Sequence, residues 1–151
     1  MDMEKYYIAY GSNLNYIQMM IRCPKAKIAG TTELEGWELL FKGSKTGSYL
    51  TIEPKEGSKV PVAIWKITEE HERALDIYEG FPNFYYKKEI EVTMSSGRKI
   101  KAFAYIMHEE RPAGIPTRAY LNTCKSGYEY FGFNKSFLQE AIDESKRRML
   151  S

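Results

Sequence analysis

Glu79 and the run Tyr10-Gly11-Ser12-Asn13-Leu14 are the parts of this 151-residue chain whose residue types and placement point to chemistry. Glu79 sits in Leu75-Asp76-Ile77-Tyr78-Glu79-Gly80, at the end of an amphipathic stretch. The end of a helix is the negative pole of its dipole, where Lys or Arg is the usual choice. A carboxyl held there, and buried as well, has its pKa raised toward the range of a general acid or base. The same residues also fit a solvated glutamate at a helix end. The run 10–14 follows the apolar Tyr6-Tyr7-Ile8-Ala9 and precedes Tyr16, Ile17, Met19, Met20 and Ile21, so a strand breaks into a helix there. Glycine at the break lets the backbone turn sharply or approach a ligand. Free N–H groups and the positive dipole end at such a corner suit a carboxylate or phosphate. A plain corner with Ser12 or Asn13 as helix N-cap is the other reading.

Other chemistries lack their parts. Ser12 has no G-x-S-x-G elbow around it, and only His71 and His108 exist to serve as its base. No G-x-x-x-x-G-K-[ST] phosphate loop is present. Cys23 and Cys124 lie far apart and outside any C-x-x-C pattern, so they read as two buried thiols, and no metal or cofactor is expected. A net charge of +2 is too small to call for a nucleic-acid partner. The basic Lys146-Arg147-Arg148 falls in a last helical turn, where cations complement the dipole. The charged start Met1-Asp2-Met3-Glu4-Lys5 has no apolar signal region, and no segment is apolar enough to span a membrane. A cytoplasmic location is the expectation. Of the twelve tyrosines, Tyr86 and Tyr120 are the pocket candidates: Tyr86 opens the strand after the Glu79 turn, and Tyr120 follows a Pro-rich loop.

The elements that must position these groups make one domain, 1–151, with no linker or repeat. Residues 36–42, 48–53 and 60–67 read as short strands separated by Gly, Ser and Pro. Thr68-Glu69-Glu70 opens a helix with one apolar face (Ala74, Leu75, Tyr78), stopped by Gly80 and Pro82. Residues 85–93 and 98–107 form a hairpin around Ser95-Ser96-Gly97, with Glu89 and Glu91 facing Lys99 and Lys101 to set register. A helix begins near Thr117. The last begins at Asn134, with Phe133 and Leu138 as a hydrophobic staple. The class is α+β, with a curled sheet or small mixed β-barrel surrounded by helices.

In this order the features resemble the γ-glutamylcyclotransferase family. The likeness includes Tyr10-Gly11-Ser12-Asn13-Leu14, Val62-Ala63-Ile64-Trp65-Lys66-Ile67, Leu75-Asp76-Ile77-Tyr78-Glu79-Gly80, residues 86–92, Tyr105-Ile106-Met107 and Pro116-Thr117-Arg118-Ala119-Tyr120. The resemblance implies a small mixed barrel that binds a small-molecule γ-glutamyl substrate and releases 5-oxoproline and an amine without a cofactor. It implies Glu79 as the proton-transfer residue, Tyr10, Gly11, Ser12, Asn13, Leu14 and Asn15 as the substrate cradle, and Tyr86 and Tyr120 as pocket tyrosines. Asn13 after Gly11-Ser12 departs from the Gly-Ser-Leu of the glutathione-specific branch and the Gly-Thr-Leu of the γ-glutamylamine branch. That points to γ-glutamyl amino acids, or to a bacterial-type relative trimming a γ-glutamyl cap. The loop 111–116 is expected to shape the leaving-group side, and a monomer or homodimer is implied. Three alternatives remain in view: a non-catalytic γ-glutamyl or carboxylate-binding module on the same fold, a γ-glutamylamine-specific cyclotransferase, and a single-stranded RNA binder, opposed by the near-neutral charge.

Overall fold

Among the described residues, five strands form a single mixed sheet in the order β2-β3-β1-β5-β4. The computed structural model describes residues 4–151; the reading of the charged start falls partly on Met1, Asp2 and Met3, which lie outside the described residues. β1 (Lys5–Ala9) is central. It runs antiparallel to β3 (Tyr49–Ile67), with Tyr7 opposite Trp65, and parallel to β5 (Lys99–Met107), with Tyr7 opposite Phe103. A strand covered on both faces reads as a continuous apolar run, and Tyr7, Ile8 and Ala9 are all buried. β2 (Lys27–Lys42) pairs with β3, and β4 (Tyr85–Thr93) with β5, in antiparallel hairpins. In the second hairpin Glu91 stands opposite Lys101, as expected, but Glu89 faces Phe103.

The three short strands expected over 36–42, 48–53 and 60–67 are parts of two long ones, of 16 and 19 residues. Within β3 the ladder to β2 is interrupted: Pro54 stands opposite Trp37 and Lys59 opposite Glu35, and the polar Lys55-Glu56-Gly57-Ser58 between them bulges out without a partner on β2. Nor does the sheet close into a barrel. Its edges β2 and β4 share no backbone pairing, and side chains bridge them where they approach: Thr32 Oγ1 donates to the Thr93 carbonyl (2.6 Å) and Ser95 Oγ to the Thr31 carbonyl (3.2 Å). The curled sheet is therefore open.

Among the described residues, four α-helices pack around it: α1 (Tyr16–Arg22), α2 (Glu69–Glu79), α3 (Arg118–Phe131) and α4 (Ser136–Met149). α2 starts at a capping box in which the Thr68 hydroxyl accepts the His71 N–H and the His71 ring accepts the Thr68 N–H. It ends at Gly80, whose left-handed backbone (φ 64°) lets its N–H bond to the Asp76 and Ile77 carbonyls. Thr117 caps α3, as its hydroxyl accepts the Tyr120 N–H. α4 begins two residues after Asn134, because the Asn134 side chain bonds the Ser136 N–H and holds the entry as a turn. Trp65, Tyr105 and Tyr128 are the largest fully buried side chains. Both cysteines are buried and unpaired. Among the described residues no helix is long and apolar enough to cross a membrane, and no cluster of His, Cys, Asp or Glu is arranged to hold a metal ion.

Candidate active site

The sheet and α2 bring the two sequence features into one cavity of about 360 Å³, within the range of roughly 300–1,000 Å³ common for small-molecule sites. Tyr10, Gly11, Ser12 and Asn13 line it from the end of β1, and Glu79 lines it from the end of α2. Tyr120 completes it from α3. A larger hollow of about 800 Å³ lies between β2, β4 and the α3–α4 turn, but its glutamates (Glu33, Glu35, Glu91) are exposed on open strands.

The loop after β1 is a single 3-10 turn, Ser12–Leu14, before α1. Leu14 N bonds back to the Gly11 carbonyl and Asn15 N to that of Ser12, which leaves the Ser12 and Asn13 N–H groups without a partner inside the turn. Neither Ser12 nor Asn13 caps the helix. Asn15 does, by accepting the Gln18 N–H, while its amide donates to the Thr123 carbonyl. Asn15 and Leu14 thus hold the cradle from behind rather than line it; Leu14 is fully buried. Gly11 sits in close approach: a Cβ there would stand 3.3 Å from the Tyr120 hydroxyl, which would have to give way slightly, and in ordinary contact with Leu50 at 3.4 Å. Trp65, buried in β3, donates its indole N–H to the Asn13 carbonyl (3.2 Å) and fixes the turn to the sheet.

Glu79 is half-buried and faces the cavity, and among the described residues its carboxyl takes no hydrogen bond from the protein. Burial raises its pKa from 4.5 to about 7, partly offset by the nearby Arg22 guanidinium. The dominant cause is therefore desolvation, not the helix end. Arg22 reaches back from α1. It donates to Asn13 Oδ1 (2.7 Å) and Gln18 Oε1 (3.0 Å), and lies 3.4 Å above the Tyr78 ring. Tyr78 in turn shares a hydrogen bond with Ser12 (3.1 Å).

A guanidinium only donates, so Arg22 fixes which end of the Asn13 amide faces it. The Asn13 Nδ2 then donates to the Tyr7 hydroxyl (2.9 Å). Tyr7 is thereby an acceptor in that bond, with its own proton uncommitted. The Tyr120 oxygen accepts the Leu50 N–H (3.1 Å), and its side chain also hydrogen-bonds the buried Cys124 thiol. Three other tyrosines in the wall spend their protons elsewhere, Tyr10 on the Tyr105 carbonyl, Tyr85 on the Leu50 carbonyl and Tyr105 on Asp76. Burial and the Glu79 charge raise the pKa of Tyr7, Tyr10, Tyr85 and Tyr120, so all four hold their protons.

Tyr86 is not in the cavity. Its hydroxyl bonds to Glu109 on the outer side of the hairpin, while its neighbour Tyr85 lines the wall. Successive strand residues point to opposite faces, and two adjacent tyrosines give no sign of the phase. Tyr7, Tyr78, Tyr85 and Tyr105 were not distinguishable from core tyrosines by spacing, and Arg22 carries no motif. The loop 111–116 does not line the cavity either. Its Pro112 and Ile115 carbonyls accept the Gly43 and Ser48 N–H groups, which supports the segment leading to Tyr49 at the cavity wall.

The family model described as gamma-glutamyl cyclotransferase, AIG2-like matches residues 7–122, a span that holds the cradle, Glu79 and Tyr120. Human gamma-glutamylcyclotransferase is 31% identical over 109 residues, 67% of this chain and 58% of that protein. The bovine protein of the same name matches over the same length at 31%. The chain thus spans 58% of the length of these relatives. A solved structure of an uncharacterized protein from Homo sapiens superimposes with a TM-score of 0.81 at 26% identity, over 91% of this chain and 86% of that one. A second, named gamma-glutamyl cyclotransferase, gives 0.82 at 24% identity over 92% and 86%, a likeness of fold. With the fold and the family match in agreement, the chain belongs to the gamma-glutamyl cyclotransferase, AIG2-like family.

Proposed function

We propose that the chain is a γ-glutamylcyclotransferase in which Glu79 moves the proton. The observation that carries this reading is an unpaired carboxyl with a pKa of about 7, facing a cavity beside a turn with free N–H groups. The substrate's α-carboxylate sits on the Ser12 and Asn13 N–H groups, which favour an anion. Its γ-amide carbonyl then lies over Glu79. The neutral α-amine attacks the γ-carbon, a C–N bond closes the five-membered ring, and the carbonyl oxygen becomes an oxyanion. Ionised Glu79 takes a proton from the attacking nitrogen and gives it to the departing nitrogen as the amide C–N bond breaks. 5-Oxoproline and a free amine result. Nucleophile and electrophile belong to one molecule, so holding it folded removes much of the entropic barrier. The O–H groups of Tyr7 and Tyr120 are assigned to the oxyanion.

Wild-type protein incubated with γ-glutamyl-ethylamide, γ-glutamyl-alanine and glutathione should release 5-oxoproline, detected by mass spectrometry, from at least one of them. Tight binding of these compounds without product would instead indicate a γ-glutamyl-binding module. Tyr7→Phe and Tyr120→Phe should each lower kcat by a factor on the order of 10–1,000, as loss of an oxyanion donor does. Unchanged kcat in both would remove them from that role.

A further inference from the structure

The cavity is chemically graded from floor to rim. Glu79 and the hydroxyls of Tyr7, Tyr10 and Tyr85 lie in the buried part, whereas Ile77 at the rim is 83% exposed and Tyr49 46% exposed. Tyr49 meets the Tyr120 ring edge-on (5.0 Å, 87°) and the Phe84 ring likewise (6.1 Å, 82°). Three rings therefore make an aromatic corner beside an exposed isoleucine. Among the described residues, no Lys, Arg or His lines the cavity. The two arginines behind its wall are committed. Arg22 serves Asn13, Gln18 and the face of Tyr78; Arg111 lies 4.5 Å from the centre of the Phe84 ring and donates to the Asn83 carbonyl.

A γ-glutamyl compound seated with its own charges on the floor projects its amine substituent toward this rim. A carboxylate on that substituent would stay hydrated at the exposed rim, would find no cation among the lining residues, and would keep its neighbouring atoms from covering the rings. A flat apolar group would cover the rings and Ile77 and gain from leaving water. We propose, resting on the cyclotransferase reading above, that the amine released carries an apolar, preferably aromatic body and no carboxylate. Amino acids and peptides are the poorer leaving groups.

Two pairs of substrates isolate the carboxylate: γ-glutamyl-phenethylamide against γ-glutamyl-phenylalanine, and γ-glutamyl-ethylamide against γ-glutamyl-alanine. In each pair kcat/KM for 5-oxoproline release should favour the carboxylate-free member by roughly tenfold or more, and phenethylamide should exceed ethylamide by a similar factor. Ile77→Lys, at an exposed position, places a cation at the rim and should narrow the preference within each pair. Tyr49→Ala should narrow the gap between phenethylamide and ethylamide. Equal or faster turnover of the carboxylate-bearing members overturns this inference and leaves cyclotransferase activity standing. So does a preference that Ile77→Lys does not move. Absence of 5-oxoproline from all four compounds, with the protein folded, overturns the cyclotransferase reading and this inference with it.

Discussion

Arg22 acts on three residues of the cavity wall and lines none of it. Its guanidinium orients the Asn13 amide, lies on Tyr78, and places a positive charge near Glu79. Removing that charge takes away the influence that lowers the Glu79 pKa, so the pKa must rise above about 7. In Arg22→Gln the rising limb of kcat/KM against pH should therefore move to higher pH, whereas a purely structural loss would lower the plateau and leave the limb in place. A downward shift of the limb would contradict the electrostatic role. At this scale the sequence was partly legible. Gly11 and Glu79 stand in types and places that few structural roles require, and both face the cavity. Tyr85 was hidden beside Tyr86 because strand phase, not residue type, decides which ring turns inward. Arg22 was hidden because its partners Asn13 and Tyr78 meet it through tertiary packing of α1 on α2.

The turn 11–14 is held in place by backbone that does not line the cavity. α3 crosses the 3-10 turn so closely that a Cβ on Gly127 would lie 2.6 Å from the backbone carbon of Leu14 and 2.7 Å from Asn15 N. Backbone cannot swing aside as a flexible side chain can. Gly127→Ala should destabilise the protein by about 1–3 kcal/mol, as overpacking does. It should also weaken substrate binding by displacing the Ser12 and Asn13 N–H groups. Thermal unfolding and KM check the two effects, and an unchanged melting temperature would show that the crossing is looser than the geometry indicates. The helices were legible by their caps: Thr68 with Gly80 for α2, and Thr117 for α3. The lengths of β2 and β3 were not. Residues 54–59 are polar and largely exposed, and the ladder skips 55–58, so the pattern reads as a gap between two strands where the backbone continues as one interrupted strand.

The curl of the whole sheet is what brings the end of β1, the end of α2 and the start of α3 to one point. Glu79 gains its high pKa from that enclosure, and the enclosure has a thermodynamic consequence. Its carboxyl titrates near 7 in the folded state and near 4.5 when free. Between these values the folded protein binds the proton more tightly, so this group's contribution to stability falls as pH rises through the window. Above it the ionised carboxylate costs about 3 kcal/mol. Glu79→Gln removes the titration. Its melting temperature relative to wild type should therefore climb from pH 5 to pH 8, and a constant difference would contradict a raised pKa. The same variant supplies the most direct measurement of all: single-substrate turnover at pH 8, with whichever γ-glutamyl compound wild type converts fastest. Binding is followed by calorimetry and 5-oxoproline by mass spectrometry. A folded Glu79→Gln protein that still binds the compound but releases no 5-oxoproline is the predicted result. Turnover within a few-fold of wild type would contradict the assignment of Glu79 as the proton-transfer group.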